Sequence, residues 1–198
     1  MKEIKNKKEM EIVFLLDRSG SMGGLEEDTI GGYNSFINSH KKTNAKLTTI
    51  LFDNKIEVIH DREDISKVKK LTSKEYYVRG CTALLDAIGY GITRITDKDK
   101  KVIFVITTDG LENASKEYNK KTIKKMIEER TNWEFMYLGA NIDSYSEADS
   151  IGIKKERVSN YSASKKGTKN MFGALSRAVS CFECEEALPS DWNKGLED

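Results

Sequence analysis

The sequence predicts an α/β protein: an open, doubly wound, mostly parallel six-stranded sheet with one antiparallel edge strand and helices on both faces. Three observations carry that reading. Short aliphatic runs alternate with longer segments whose apolar residues recur every three or four positions, which is the pattern of strands joined by crossover helices. Two of the runs, EIVFLL at 11–16 and VIFVIT at 102–107, are apolar almost throughout and read as strands buried on both faces. A turn pair, Asp53-Asn54, separates two strand-like runs, so one hairpin adds one antiparallel edge strand.

The elements follow in order. The first strand, 11–16, stops at Asp17, where glycine and serine take over. Residues 25–41 carry Leu25, Ile30, Tyr33, Phe36 and Ile37 near helical spacing. Runs 47–52 and 56–60 form the hairpin, and 64–71 is a short helix or an irregular crossover. A helix spans 82–96, with Leu85, Ile88, Ile92 and Ile95 in register. The strand at 102–107 is followed by Asp109. A helix at 116–129 and a strand at 134–138 come next. Ser144-Tyr145-Ser146-Glu147 has the form of a capping box, which opens a helix to about 151. Val158 marks a short sixth strand. A last amphipathic helix, 164–184, carries Met171, Phe172, Leu175, Val179 and Phe182 on one face.

With 198 residues the chain is long enough for one domain with its own core. We place that domain at 10–184, after an N-terminal extension 1–9 and before a C-terminal tail 185–198 expected to be loosely ordered. Thirty-three basic against 32 acidic residues give no charge excess that would attract nucleic acid or a membrane surface. Lys120, Lys121, Lys124 and Lys125 are expected on the solvated face of a helix. The apolar run at 12–16 is too short for a membrane span or a signal-peptide core, and the chain reads as cytoplasmic. Cys81, Cys181 and Cys184 are too few for a disulfide scaffold. The C-x-x-C pair at 181–184 lacks the companions of a zinc or redox site. His40 and His60 stand singly among polar residues and read as surface side chains.

Chemistry concentrates at strand ends. Asp17-Arg18-Ser19-Gly20-Ser21 follows the first strand, Gly80-Cys81-Thr82 opens a helix, and Asp109-Gly110 follows the strand at 102–107. In doubly wound sheets, ligands bind beyond the carboxyl ends of the strands where strand order reverses. Asp17, Ser19, Ser21, Thr82 and Asp109 offer two carboxylates and three hydroxyls. An oxygen-only set suits a hard cation, Mg2+ first, with Mn2+ or Ca2+ as alternatives. Two carboxylates balance a divalent charge, and a coordination position left open would accept a carboxylate from another protein. Arg18 and Met22 are not ligands in this reading, and Glu112 is a solvated loop residue near the rim. Each segment also has a plainer reading: Asp17, Ser19 and Thr82 as helix N-caps, and Asp109-Gly110 as a turn.

The runs DRSGSM, GCTALLDAI and ITTDGLENAS resemble the von Willebrand factor A family and its metal-ion-dependent adhesion site. FDN at 52–54 and YLGAN at 137–141 resemble its stand-alone prokaryotic and phage members. The resemblance covers about 10–184 and all five donor positions. It implies direct ligation by Ser19 and Ser21, ligation by Thr82 directly or through water, and action of Asp17 and Asp109 mainly through water. It implies a binding module that is not an enzyme. Its partner would be a protein presenting an acidic residue, such as an ATPase or a component of a stress-response or phage assembly.

Other functions make different demands. A metal-dependent hydrolase or phosphatase would use Asp17 and the bound ion, but dehalogenase-like phosphatases usually carry a second aspartate where this chain has Ser19. A nucleotide site would need a phosphate-binding glycine motif, and Gly20-Ser21-Met22-Gly23-Gly24 matches none. A purely structural scaffold would need no ion at all.

Overall fold

A computed structural model of the chain describes residues 9–97, 99–184 and 188–196. The first strand, β1 (Met10–Asp17), is buried along its whole length. Its side chains alternate between two layers, as strand geometry requires. Ile12, Phe14 and Leu16 enter one core cluster, while Val13 and Leu15 enter the other.

The remaining elements are α1 (Glu26–His40), β2 (Ala45–Phe52), β3 (Ile56–Asp64), α2 (Leu84–Thr93), β4 (Lys101–Thr108), α3 (Lys120–Glu128), β5 (Trp133–Gly139), α4 (Ser144–Ser150), β6 (Val158–Asn160) and α5 (Lys165–Glu183). The sheet order is β3-β2-β1-β4-β5-β6. Every pairing is parallel except β2 with β3, the edge hairpin. Helices α1 and α5 supply side chains to the first cluster, and α2, α3 and α4 to the second. The predicted sheet and its two helical layers are therefore present. Phe14 joins sheet to helices, lying 5.4 Å from Phe36 and 5.9 Å from Phe172 between ring centroids.

Several boundaries differ from expectation, each for a local reason. The helix expected at 116–129 begins at Lys120, because Asn119 accepts the N–H of Thr122 as its cap. The N–H groups of Lys116, Glu117 and Tyr118 bind instead to the carboxylate of Asp86. The helix expected at 82–96 spans Leu84–Thr93. The cap of α4 is Asp143 rather than Ser144. Strand β3 runs on to Asp64, and the following 65–71 segment is the irregular crossover, pinned by buried Ile65, Val68 and Leu71. Lys120, Lys121, Lys124 and Lys125 are exposed, as expected.

Two expectations are corrected outright. The described part of the tail, 188–196, is packed, not loose: Leu188, Trp192 and Leu196, four residues apart, enter the first core cluster. The Trp192 indole donates to the Glu156 carbonyl at 2.8 Å, and Asn193 donates to Ser159 of the edge strand β6 at 3.3 Å. His40 and His60 are buried, not superficial. His40 packs on Phe36, and its Nε2 has no hydrogen-bond partner among the described residues, while His60 Nδ1 lies 3.3 Å from the Tyr33 hydroxyl. Among the described residues, no helix is long and apolar enough to cross a membrane.

Burial pushes both histidines below their ordinary value of 6.5, so the fold prefers them neutral. A pKa lower in the folded than in the unfolded state contributes stability that is complete above 6.5. That stability is lost as pH falls through the folded values. Denaturant unfolding at pH 7.5 and pH 5 should show wild type losing more stability than a His40→Gln/His60→Gln variant.

Candidate functional site

Chain order and strand order part company at β1. From β1 the sheet grows outward through β2 to β3, then restarts on the other side of β1 with β4. This leaves a crevice at the carboxyl ends of β1 and β4. Asp17 is the last residue of β1, and Asp109 follows the last residue of β4.

The polypeptide leaves β1 extended at Ser19 and tightens into a single 3-10 turn at Gly20–Met22. Asp17 is inaccessible to solvent. One of its carboxylate oxygens accepts the Ser19 N–H at 2.7 Å, and the other accepts the Thr108 hydroxyl at 2.5 Å. The Ser19 and Ser21 hydroxyls lie 3.1 Å apart, and Ser21 donates to Asp109 at 2.6 Å. Thr82 reaches the same place from the start of α2. Its backbone is held by Asn113, which accepts its N–H at 2.9 Å and donates to its carbonyl at 3.0 Å.

Gly110 locates the meeting point. A Cβ built there would lie 2.7 Å from the Thr82 hydroxyl, 3.3 Å from that of Ser21 and 3.6 Å from that of Ser19. Three hydroxyls from two segments thus surround one small volume that glycine leaves free, and the Asp109 carboxylate is bonded into the same group. The structure brings together all five residues selected from the sequence.

The electrostatics are unbalanced. Burial pushes Asp17 up to about 6, against the hydrogen bonds from Thr108 and Ser19, and the negative charge of Asp109 adds to the rise. Burial also raises Asp109, opposed by its bond from Ser21. Among the described residues neither carboxylate has an ion-pair partner. A divalent cation bound here would favour the ionised form of both acids, so the residues present fit a hard cation. Among the described residues no group of three or more histidine, cysteine, aspartate or glutamate side chains gathers as a metal cluster; this set consists of two carboxylates and three hydroxyls.

A buried scaffold holds the donor loop. Arg18, between two donors in sequence, is fully buried and turns away from them toward Asp53, just beyond β2. Its Nε and that of Arg79 each donate to the same Asp53 oxygen at 2.9 Å. Arg18 also pairs with Glu57 at 2.8 Å. Burial alone would raise Asp53, but Arg79, the Lys55 N–H and Arg18 hold it below the usual carboxylate range. Backbone bonds complete the clamp: Arg79 N–H to the Arg18 carbonyl at 2.8 Å, and Gly20 N–H to the Gly80 carbonyl at 3.1 Å. Gly80 adopts φ +69°, a left-handed conformation that favours glycine.

Sequence reasoning missed this scaffold, reading Asp53-Asn54 as a turn and FDN at 52–54 as part of the family resemblance, with no role for Arg18 or Arg79. It also misplaced Glu112. That carboxylate accepts the N–H groups of Leu85, Ala114 and Ser115 and the Ser115 hydroxyl, so it ties the loop after β4 to the start of α2. Of these groups only the Leu85 N–H lies in the first turn of a helix, where an acidic side chain satisfies a group the helix leaves free.

The architecture has known counterparts. It is similar to a von Willebrand factor type A protein from Catenulispora acidiphila, with TM-score 0.60 and 12% identity over 87% of this chain and 42% of that one. It is similar to the ArnB paralog VWA2 from Sulfolobus acidocaldarius, with TM-score 0.60 and 15% identity over 87% and 45%. This chain has a von Willebrand factor type A fold. The pilus adhesin SpaC from Lactobacillus rhamnosus GG shares it, with TM-score 0.68 and 12% identity over 88% of this chain and 30% of the adhesin. The chain spans less than half the length of each of these three proteins. No protein-family model and no curated protein matches the sequence.

Within this fold the Asp53 clamp carries a stability consequence. Asp53→Asn leaves Arg18 buried with one acidic partner fewer, which should cost about 3 kcal/mol. Urea unfolding at neutral pH measures it.

Proposed function

We propose that this von Willebrand factor type A domain is a divalent-cation-dependent protein-binding module. One observation carries the reading: three hydroxyls and two buried carboxylates, neither with an ion-pair partner among the described residues, meet at the switch point of the sheet, around a volume bounded by Gly110. Mg2+, or Mn2+ or Ca2+ in its place, would be held by Asp17, Ser19, Ser21, Thr82 and Asp109. When bound, the ion supplies Lewis acidity toward a carboxylate presented by another protein. The chain's own part is positional. Asp17 and Thr108 fix the end of β1 against β4, Asn113 presents Thr82, and the Arg18–Asp53–Arg79 clamp holds the loop that carries both serines.

A hydrolase would use Asp17, and that carboxylate is inaccessible to solvent and bonded to Ser19 and Thr108, which favours binding over hydrolysis. Ser21 is exposed while Asp17 is not, so the donor point is open to solvent on the Ser21 side. The fold is shared with a pilus adhesin, which agrees with a role in binding. The partner is a protein that displays an aspartate or glutamate, and the family resemblance suggests a companion ATPase or a stress-response or phage assembly.

Thermal unfolding with millimolar Mg2+ or Mn2+ against EDTA tests this. A ligand at 100 times its dissociation constant stabilises by about 2.7 kcal/mol, so wild type should melt several degrees higher with metal. Asp109→Ala should abolish that shift, and a shift of wild-type size in Asp109→Ala would refute the site. Gly110→Ala places a methyl 2.7 Å from the Thr82 hydroxyl. It should weaken metal binding by at least tenfold, read by calorimetric titration with Mn2+.

A further inference from the structure

Among the described residues, two large hydrophobic side chains are exposed: Tyr77 at 43% and Leu111 at 53%. Single exposed apolar residues are ordinary on a protein surface. These two, however, lie at the same end of the sheet, in the two loops that frame the donor cluster. Leu111 is the second residue after Asp109. Tyr77 belongs to the 77–80 segment that is bonded along the donor loop through Arg79 and Gly80.

The Tyr77 ring is held in place despite its exposure. The guanidinium carbons of Arg18 and Arg79 lie 5.5 Å and 5.2 Å from its centroid, and Arg79 donates to its hydroxyl at 3.0 Å. Arg18 is itself fixed by the buried Asp53. An aromatic ring ordered before any contact forms costs little entropy on docking, and Tyr and Arg are the residue types that dominate binding hot spots. In the donor loop after β1, and at the end of the 77–80 segment, Gly20, Ser21, Gly23, Gly24 and Gly80 are all exposed. Their small side chains leave little relief around the donor point, so a second protein's backbone can come close to it.

We infer that Tyr77 and Leu111 are the specificity contacts of this face, and that it takes a protein segment in which an aspartate or glutamate is flanked by apolar side chains. The acid addresses the metal point while its apolar neighbours cover Leu111 and the Tyr77 ring. This rests on the metal-dependent reading above. It adds what that reading does not contain, which is discrimination among acidic segments by hydrophobic contact.

The test is selection of a displayed library of random 12-residue peptides on the immobilised protein in Mg2+, with elution by EDTA. Eluted sequences should be enriched in Asp or Glu with Leu, Ile, Met or Phe within three positions. The strongest peptide, synthesised, should bind Leu111→Ser and Tyr77→Ser at least tenfold more weakly than wild type, while Leu111→Ser keeps its Mn2+ affinity within twofold. In Mg2+ that peptide should slow alkylation of exposed Cys81, next to Thr82, but not of exposed Cys184. Cys184 closes α5 near the amino end of β4, where Lys101 donates to the Phe182 carbonyl.

Three results overturn the inference: acidic sequences with no apolar enrichment, equal binding to wild type and both variants, or no EDTA-eluted enrichment from protein that binds Mn2+. Failure of wild type to bind Mn2+ would instead strike the metal-dependent reading itself.

Discussion

Two carboxyl groups withdrawn from water, with no basic side chain among the described residues to balance them, are the constraint around which this protein is arranged. Burying an acid without a counter-charge is unfavourable, and both Asp17 and Asp109 are raised by it. The surrounding structure moderates that cost with hydroxyls and N–H groups rather than with cations. Thr108 and Ser19 bond to Asp17, and Ser21 bonds to Asp109. Neutral donors hold the acids in place while leaving their charge available, which a lysine or arginine in the cluster would not do.

Positive charge is present nearby but kept apart. Arg18 lies between two donor residues in sequence, yet Asp53 and Glu57 hold its guanidinium on the β2–β3 side. Alternation explains the separation. Side chains on either side of Arg18 face the crevice, so Arg18 faces away from it. The same residue therefore steadies the loop without neutralising the site, and through Tyr77 it stiffens part of the exposed rim.

Much of the fold was legible because its signals are local. The apolar runs of β1 and β4, the Asp53-Asn54 turn and the spacing of Met171, Phe172, Leu175 and Val179 in α5 each report on their own segment. Errors arose where a distant group claimed the backbone. Asp86 binds the N–H groups of Lys116, Glu117 and Tyr118 and so delays α3. Trp192 in a polar tail looked isolated, yet with Leu188 and Leu196 it forms a stripe of three residues at four-residue spacing that joins the first core cluster. His40 and His60 lie among polar neighbours in sequence, and their burial comes from what α1 and β3 pack against.

By itself, the sequence determined the strand and helix order and the five oxygen-bearing residues at strand ends and a helix start, because periodicity and turn chemistry are properties of short segments. The tertiary structure alone decided that those five residues meet, since strand order around β1 sets which loops are neighbours. It also decided that Arg18, Asp53 and Arg79 form one clamp and that Glu112 ties a loop to α2. Those roles depend on contacts across 26 to 35 residues of chain, a separation over which neither spacing nor composition carries information.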